Sequence, residues 1–402
     1  MTGKGKRKLA MPDTLIIVAS VVLLVAILSW IIPSGTYDYQ EMNINGRIRN
    51  VAIDGTYHTI DKSEVTTTGF LGFFSVLYRG CVEAADVIFM ILCCCGTFGV
   101  VVKTGAFHAG IGTILKKLKG KEILLVPIIM MIFGLGGSVF GMASEFYGFY
   151  PLIVGLGVAL GYDAMFGFAI IAVGEFVGFM GATLNPYSVG IAQTISGVEL
   201  YSGTGYRAIC FVIFMAISII YVMVYGRKIK KNPGASVVFG EKNIHAFDRD
   251  ELNEYSFTLK DGLVLLDVLV VLVVLMLGLI KWGWDFPQLC GLFLLMSMIA
   301  AAICKWSPNK WCSEFIDSAK TAMWGCILTG IAKAITVVMQ DAQIMDTVIY
   351  GLSNVLKNAP HAVSAQVMLV VQTLINFFIP SATGQASATM PIMAQLADII
   401  GV

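Results

Sequence analysis

The amino-acid sequence predicts an all-α polytopic membrane protein with two inverted-topology repeats, re-entrant hairpins and discontinuous helices. The membrane class follows from composition, because 57% of the 402 residues are hydrophobic and only 13% are charged. The repeats follow from a likeness between the two halves of the chain, whose corresponding segments have opposite predicted orientations. The discontinuous helices follow from Gly, Pro and small polar residues inside apolar runs.

Composition also excludes some classes of partner and site. The chain has 27 Lys and Arg against 26 Asp and Glu, so no excess of positive charge is available to bind nucleic acid. The nine cysteines form no C-x-x-C pair, and we interpret them as packing residues rather than metal ligands. No phosphate-binding loop of the G-x-x-x-x-G-K-[ST] type occurs, so we expect neither ATP nor another bound cofactor.

Apolar stretches follow one another along the chain, and several are long enough to span a bilayer. Two polar segments divide them into a first transmembrane half at 1–226, with an external loop at 34–69, a cytoplasmic linker at 227–260, and a second transmembrane half at 261–402. The stretches lie at about 14–32, 84–102, 123–136, 149–161, 164–182, 206–226, 262–280, 286–304, 320–340, 361–379 and 386–402.

The distribution of Lys and Arg predicts the orientation, because short loops rich in these residues stay in the cytoplasm. Basic clusters precede the first stretch and recur at 116–121, 227–231 and 305–310, whereas the loop at 34–69 is acidic. We therefore expect a cytoplasmic N-terminus. On this assignment the stretches at 84–102 and 320–340 cross the membrane in opposite directions.

A repeat is indicated by an offset of about 240 residues, which relates Glu145 to Gln385 and Pro151 to Pro391. Similar order with reversed direction is typical of secondary transporters. The same offset places the counterpart of Asn185 beyond Val402. We therefore expect the second repeat to be incomplete at its C-terminal end.

Three segments interrupt the apolar sequence, at 134–145, 183–188 and 376–385. Unwound backbone must be buried in protein or line a wet cavity, and free helix ends can hold a carboxylate or a cation. For the glycines alone we favour close helix packing. A substrate and ion site is the favoured interpretation for the polar residues of these segments, namely Thr183, Asn185, Ser381, Thr383 and Gln385.

Three charged residues fall within or beside apolar segments. An ionised acid at the bilayer centre costs roughly 3 kcal/mol or more, so Glu145 and Glu175 each need a partner, a proton or water. Both are candidates for a proton or cation site, and a satisfied hydrogen bond between helices is the alternative. Lys333 is the only cation well inside its stretch and is a candidate partner for a substrate carboxylate.

These segments resemble the anaerobic carrier family for four-carbon dicarboxylates, which is part of the ion transporter superfamily. Within that family they most resemble the branch described as basic amino acid or arginine/ornithine antiporters. The most specific pieces are LNPYS at 184–188, PSATGQA at 380–386 and TMPIM at 389–393.

The resemblance implies an inner-membrane secondary carrier that forms a homodimer and binds its substrate at a central site. It places Ser138, Glu145, Thr183, Asn185, Ser381, Thr383 and Gln385 on the segments that form this site. The chain departs from the family where Ser144 replaces a second acid and where Lys333-Ala334 replaces Arg-Gly. The family also normally continues past the equivalent of Val402.

We therefore expect a secondary transporter, and not an enzyme, for a small metabolite that carries a carboxylate. The metabolite is either an amino acid or a C4-dicarboxylate, moved by exchange or by coupling to Na⁺ or H⁺. One embedded Lys among embedded acids slightly favours the mixed charge of an amino acid. A passive channel and an inactive truncated remnant of such a carrier remain as alternatives. An intramembrane enzyme would need paired catalytic residues at membrane depth, and the sequence contains none.

Overall fold

Helices make up most of the protein in the computed structural model, which describes residues 13–44, 47–53, 55–118, 122–240, 257–357, 364–379 and 381–400. The first half contains α1 (Thr14–Ile31), α2 (Phe70–Glu83), α3 (Ala85–Lys103), α4 (Ala106–Leu118), α5 (Leu125–Leu135), α6 (Tyr150–Ala159), α7 (Ala164–Gly181), α8 (Ile191–Ile195) and α9 (Thr204–Lys231). The second half contains α10 (Leu259–Lys281), α11 (Phe286–Ile303), α12 (Pro308–Ala319), α13 (Met323–Asp341), α14 (Met345–Lys357), α15 (Ser364–Phe378) and α16 (Ala382–Ile400).

Six helical segments within the described ranges are long and apolar enough to cross a membrane. Large apolar side chains such as Leu24 on α1 and Ile217 on α9 remain exposed, as expected of surfaces that face lipid. The prediction of an all-α polytopic membrane protein is therefore confirmed. The six segments are Thr14–Ile31, Ala85–Lys103, Ala164–Ile195, Thr204–Lys231, Phe286–Ile303 and Pro308–Asp341.

Corresponding helices of the two halves have equal lengths. Helices α3 and α13 each contain 19 residues, and the helices that follow them, α4 and α14, each contain 13. Between the members of each pair lies a residue with positive φ, Gly105 at 86° and Gln343 at 46°. These matches support the proposed repeat, while the inversion of one half relative to the other stays a prediction.

Glycines bring α5 and α7 into direct backbone contact. A Cβ atom on Gly174 would lie 2.9 Å from the carbonyl oxygen of Met130, and a Cβ atom on Gly178 would overlap the backbone of Gly134. Past the end of α5, a Cβ atom on Gly137 would lie 2.6 Å from the carbonyl oxygen of Glu175. Small residues at such crossings allow close van der Waals packing within a membrane.

Two antiparallel strand pairs form in the loop that connects α1 and α2, and this loop is fixed to the second half. Asp346, in the first turn of α14, accepts hydrogen bonds from the hydroxyl of Tyr39 (2.8 Å) and the backbone N–H of Tyr37 (3.1 Å). Burial and the charge of Asp346 raise the pKa of Tyr39, so its hydroxyl remains a donor. The paired strands are β1 (Ser34–Thr36) with β4 (His58–Ile60), and β2 (Tyr39–Ile44) with β3 (Arg47–Ala52).

Candidate functional site

Two adjoining cavities lie where the halves meet. The smaller, about 480 Å³, is lined by Asp86, Glu145 and Asp285, and we call it the acidic chamber. The larger, about 700 Å³, is lined by Glu83 and Lys333, and we call it the lysine chamber. The chambers share the lining residues Val87, Ser381 and Gly384. Together they have the concave shape and the few convergent polar groups expected of a small-molecule site.

The three carboxylates of the acidic chamber each stand at the start of a helical segment. Asp86 lies in the first turn of α3, and Asp285 caps α11 by accepting a hydrogen bond from the N–H of Phe286 (3.0 Å). Glu145 begins the helical turn that leads into α6 and accepts a hydrogen bond from the N–H of Ala143 (3.0 Å). Helix starts favour negative charge, which explains how three acids share one chamber. Its described lining contains no Lys, Arg or His.

Lys333 is the cationic group of the lysine chamber. Its side chain is half-buried on α13, and none of the described residues offers its ammonium group a hydrogen bond or an ion pair. Thr336, one turn further along α13, and Glu83, at the end of α2, line the same chamber. An ammonium group at membrane depth needs water or an anion, so this chamber suits a carboxylate.

Ser138 and Thr183 bind each other and join the two broken segments of the first half. Their hydroxyl oxygens lie 2.9 Å apart, and the backbone N–H of Thr183 donates to the hydroxyl of Ser138 (3.1 Å). Both side chains are buried and neither is a lining residue of the two chambers. They therefore hold the segments at 136–140 and 182–190 together.

Asn185 is fully buried, and its side chain is committed to the backbone. Its carbonyl oxygen accepts hydrogen bonds from the N–H groups of Tyr187 (2.9 Å) and Ser188 (3.2 Å). Its amide group donates to the carbonyl oxygen of Gly137 (3.3 Å). Gly141, with φ of 67°, is needed nearby, because a Cβ atom there would lie 2.6 Å from the Asn185 oxygen. Asn185 thus positions Tyr187, which lines the acidic chamber.

The start of α16 supplies the second half's contribution to the acidic chamber. Ser381 and Thr383 both line it, whereas Pro380 of the predicted motif lies outside the described residues. The hydroxyl of Thr383 donates to the carbonyl oxygen of Tyr187 (3.1 Å), which connects the broken segment of one half to that of the other. The structure therefore brings together Glu145, Ser381 and Thr383, as the sequence predicts for a shared site.

Gln385 points toward α15 instead of a chamber. Its amide group donates to the side-chain oxygen of Gln372 (2.5 Å) and to the backbone oxygen of that residue (2.9 Å). Gln385 is absent from the described lining of both chambers. Its polar atoms stabilise the contact between α15 and α16, which carries Ser381 and Thr383 at its start.

The sequence analysis does not identify Arg207, which supports the site from α9. Its guanidinium group donates to the carbonyl oxygens of Ala182 (3.1 Å) and Thr183 (3.1 Å), and to that of Ser202 (2.8 Å). The Ala182 carbonyl group lies just past the end of α7, where a helix leaves its last carbonyl groups unpaired, whereas those of Thr183 and Ser202 also accept from Thr204 and Gln193. The signal in the sequence is a single arginine near the start of an apolar stretch, which is equally typical of an interfacial charge.

The chain matches a family model and relatives among known proteins. A family model described as C4-dicarboxylate anaerobic carrier matches residues 11–402. The "Putative basic amino acid antiporter YfcC" of Escherichia coli K12 is 31% identical over 434 residues, covering 99% of this chain and 85% of the relative. An uncharacterized protein of Haemophilus influenzae is 28% identical over 441 residues, covering 99% of this chain and 86% of that protein.

Two solved structures match most of the chain at low sequence identity and with TM-scores below 0.5. The Alcanivorax borkumensis YdaH transporter has a TM-score of 0.44 and 13% identity, covering 97% of this chain and 84% of its own. Neisseria gonorrhoeae MtrF, whose structure is said to illuminate a class of antimetabolite efflux pumps, has a TM-score of 0.43 and 16% identity. The match covers 96% of this chain and 81% of MtrF. The family resemblance in the sequence is confirmed by the family model and the relative from E. coli. The protein is a multi-pass membrane protein that belongs to the C4-dicarboxylate anaerobic carrier family.

Proposed function

We propose that the protein is a secondary transporter whose substrate is a basic amino acid. A basic amino acid carries one carboxylate and two cationic groups. In the proposed complex, Lys333 binds the carboxylate, and the cationic groups face Asp86, Glu145 and Asp285 across the shared wall at Ser381. The distribution of charge between the two chambers is the observation that carries this proposal.

A C4-dicarboxylate, which the family's name suggests, is the second candidate. Its second carboxylate would have to occupy the acidic chamber, where like charges oppose it. The start of α16 offers backbone N–H groups near Ser381 as a compensating anion site, which keeps this candidate open to test. The name of the E. coli relative supports the basic amino acid.

The proposal extends to the setting of the transporter. We place it in the inner membrane with a cytoplasmic N-terminus, as a homodimer, with transport by exchange or by coupling to Na⁺ or H⁺. No catalysed reaction is part of this function. The basic clusters at 227–231 and 305–310 support the orientation.

Counterflow into proteoliposomes tests the substrate class. Vesicles that contain the protein and a high concentration of unlabelled arginine should take up external labelled arginine, and vesicles loaded with succinate should not take up labelled succinate. Succinate exchange without arginine exchange would contradict the amino acid assignment. Flux that does not saturate and needs no internal substrate would indicate the passive channel.

Substitution of Lys333 tests the proposed carboxylate partner in the same vesicles. A charge-assisted hydrogen bond contributes about 1.5–3 kcal/mol, so Lys333→Gln should raise the half-saturating arginine concentration roughly tenfold or more. Lys320→Gln is the matched control, because Lys320 is exposed and pairs with Asp317 at 2.8 Å outside both chambers. Equal half-saturating concentrations for the two variants would remove Lys333 from the site.

A further inference from the structure

Glu175 is a buried acid that the proposed substrate site does not use. It lies on α7, six residues before Gly181, and is 2% exposed. The next residue, Phe176, points about 100° further round the helix and is 65% exposed. The carboxyl group of Glu175 is therefore enclosed by protein at the depth of an apolar span.

The surroundings of Glu175 do not neutralise a negative charge. Tyr150, at the start of α6, donates its hydroxyl to the carboxyl group at 3.1 Å. Within the described ranges no Lys, Arg or His forms an ion pair with Glu175. A carboxylate with one neutral donor in an apolar span is costly, by roughly 3 kcal/mol or more, and binding a proton removes that cost.

Glu175 is also electrostatically connected to the acidic chamber. The titratable groups that face it are Tyr150, Tyr147 and Glu145, and the last of these lines the chamber. The ring of Tyr150, which binds Glu175, lies 6.2 Å from the ring of Tyr147, two residues after Glu145 in the same helical turn. Negative charges on Glu145 and Glu175 oppose each other, so a cation beside Glu145 also favours the ionised form of Glu175.

We propose that Glu175 is the proton-binding site of the transporter and that it gives up its proton when a cationic substrate binds beside Glu145. This inference rests on the proposed basic amino acid substrate. With the site empty, the neutral carboxylic acid of Glu175 is the stable form. A substrate cation in the chamber favours the ionised form of both acids, and the proton leaves to water in the chamber. One positive charge enters as one proton leaves, so the exchange is electrically neutral.

Substitution by Gln distinguishes this role from structural hydrogen bonding. Gln keeps the size of Glu and an oxygen that accepts from Tyr150, but it cannot bind and release a proton. In vesicles with the membrane potential clamped at zero, an acidic interior should drive wild-type arginine uptake above the external concentration. Glu175→Gln should retain arginine counterflow at saturating substrate and lose this accumulation.

The control is Asp267→Asn, which removes another half-buried acid of an apolar helix, on α10 and away from both chambers. This variant should accumulate arginine as the wild type does. Accumulation by Glu175→Gln at the wild-type level would overturn the proton site. Wild-type counterflow without accumulation would overturn it too, whereas wild-type vesicles without arginine counterflow would refute the proposed function itself.

A second variant decides the matter if Glu175→Gln does not fold. Tyr150→Phe keeps the acid but removes the donor that favours its ionised form. Arginine binding to the wild-type protein should strengthen as the pH rises, because the competing proton is released. In Tyr150→Phe the pH of half-maximal binding should move upward. An unchanged pH profile in this variant would overturn the proposal.

Discussion

Arg207 shows how a single side chain holds a broken helix in a membrane. Three of its hydrogen bonds go to backbone carbonyl groups at 182, 183 and 202, and a fourth goes to the hydroxyl of Thr204 (3.1 Å). The planar guanidinium group reaches these acceptors at once because its donors form a fixed fork. Arg207 therefore positions the segment that contains Asn185 without contacting either chamber.

Replacing Arg207 by Lys should destabilise the protein. A Lys side chain cannot reach these separate acceptors at once, so the carbonyl oxygen of Ala182 would lose its donor, and a buried polar group left unpaired costs about 1–3 kcal/mol. We expect a lower apparent midpoint of thermal unfolding in detergent. Arg79→Lys is the control, because Arg79 is largely exposed in its pairing with Asp341 and such pairs contribute about 0–1 kcal/mol. Equal shifts for the two variants would contradict the role of Arg207.

Residue types predict the presence of the site better than the contacts within it. Glu145, Lys333, Ser381 and Thr383 line the chambers, as an acid, a cation and hydroxyl groups at helix breaks suggest. The sequence does not predict that the side chain of Asn185 forms its hydrogen bonds with backbone groups. That outcome depends on where the segment at 136–141 lies relative to Asn185, and this distance is set by the packing of α5 on α7.

Helix α7 illustrates what holds the elements in place. Its glycines at 174 and 178 meet α5 on one side, and its other neighbours are α6 and α9. This packing fixes the end of α7, and with it the turn at 182–190 that reaches the acidic chamber. The distance between α5 and α7 is therefore a structural requirement of the site.

Substituting Gly178 by Ala should separate these helices. The added Cβ atom would overlap the backbone of Gly134, which has no flexible side chain to move away. Overpacking of this kind costs about 1–3 kcal/mol, so the apparent unfolding midpoint in detergent should fall. Gly205→Ala is the control, since nothing lies within 4 Å of its added Cβ atom and it should be neutral or stabilising. The packing account fails if Gly178→Ala behaves like Gly205→Ala.

The apolar stretches of the sequence predict the long helices well, but they do not predict the strands in the loop between α1 and α2. Helices α3, α7, α11 and α13 coincide with predicted stretches to within about three residues, as expected where apolar length decides the element. Helix α9 continues to Lys231, past the predicted boundary at 226, because its last turn is amphipathic and basic. The strands at 34–60 carry no clear alternation, and their pairing depends on packing against α14 and α16.

At the scale of the whole molecule, the two chambers of the candidate site lie between the two halves of the chain. Thr383 of α16 binds the backbone of Tyr187, and Val51 of strand β3 belongs to a buried apolar cluster with Ile191 and Ala386. Tyr39 of the same loop lines the lysine chamber, so each half contributes to each cavity. The sequence predicts that the broken segments converge, because unwound backbone within a membrane must be buried in protein or line a wet cavity. It does not predict two chambers of different charge, which arise only when α3 and α11 bring Asp86 and Asp285 together.

Equilibrium binding of labelled arginine to the purified protein tests this charge separation most directly. We expect one site per chain, weakened roughly tenfold or more by Lys333→Gln and by Glu145→Gln, since each removes a charged contact. Succinate at the same concentration should not displace arginine. Displacement by succinate, or equal affinity in the wild type and both variants, would contradict the account of the two chambers.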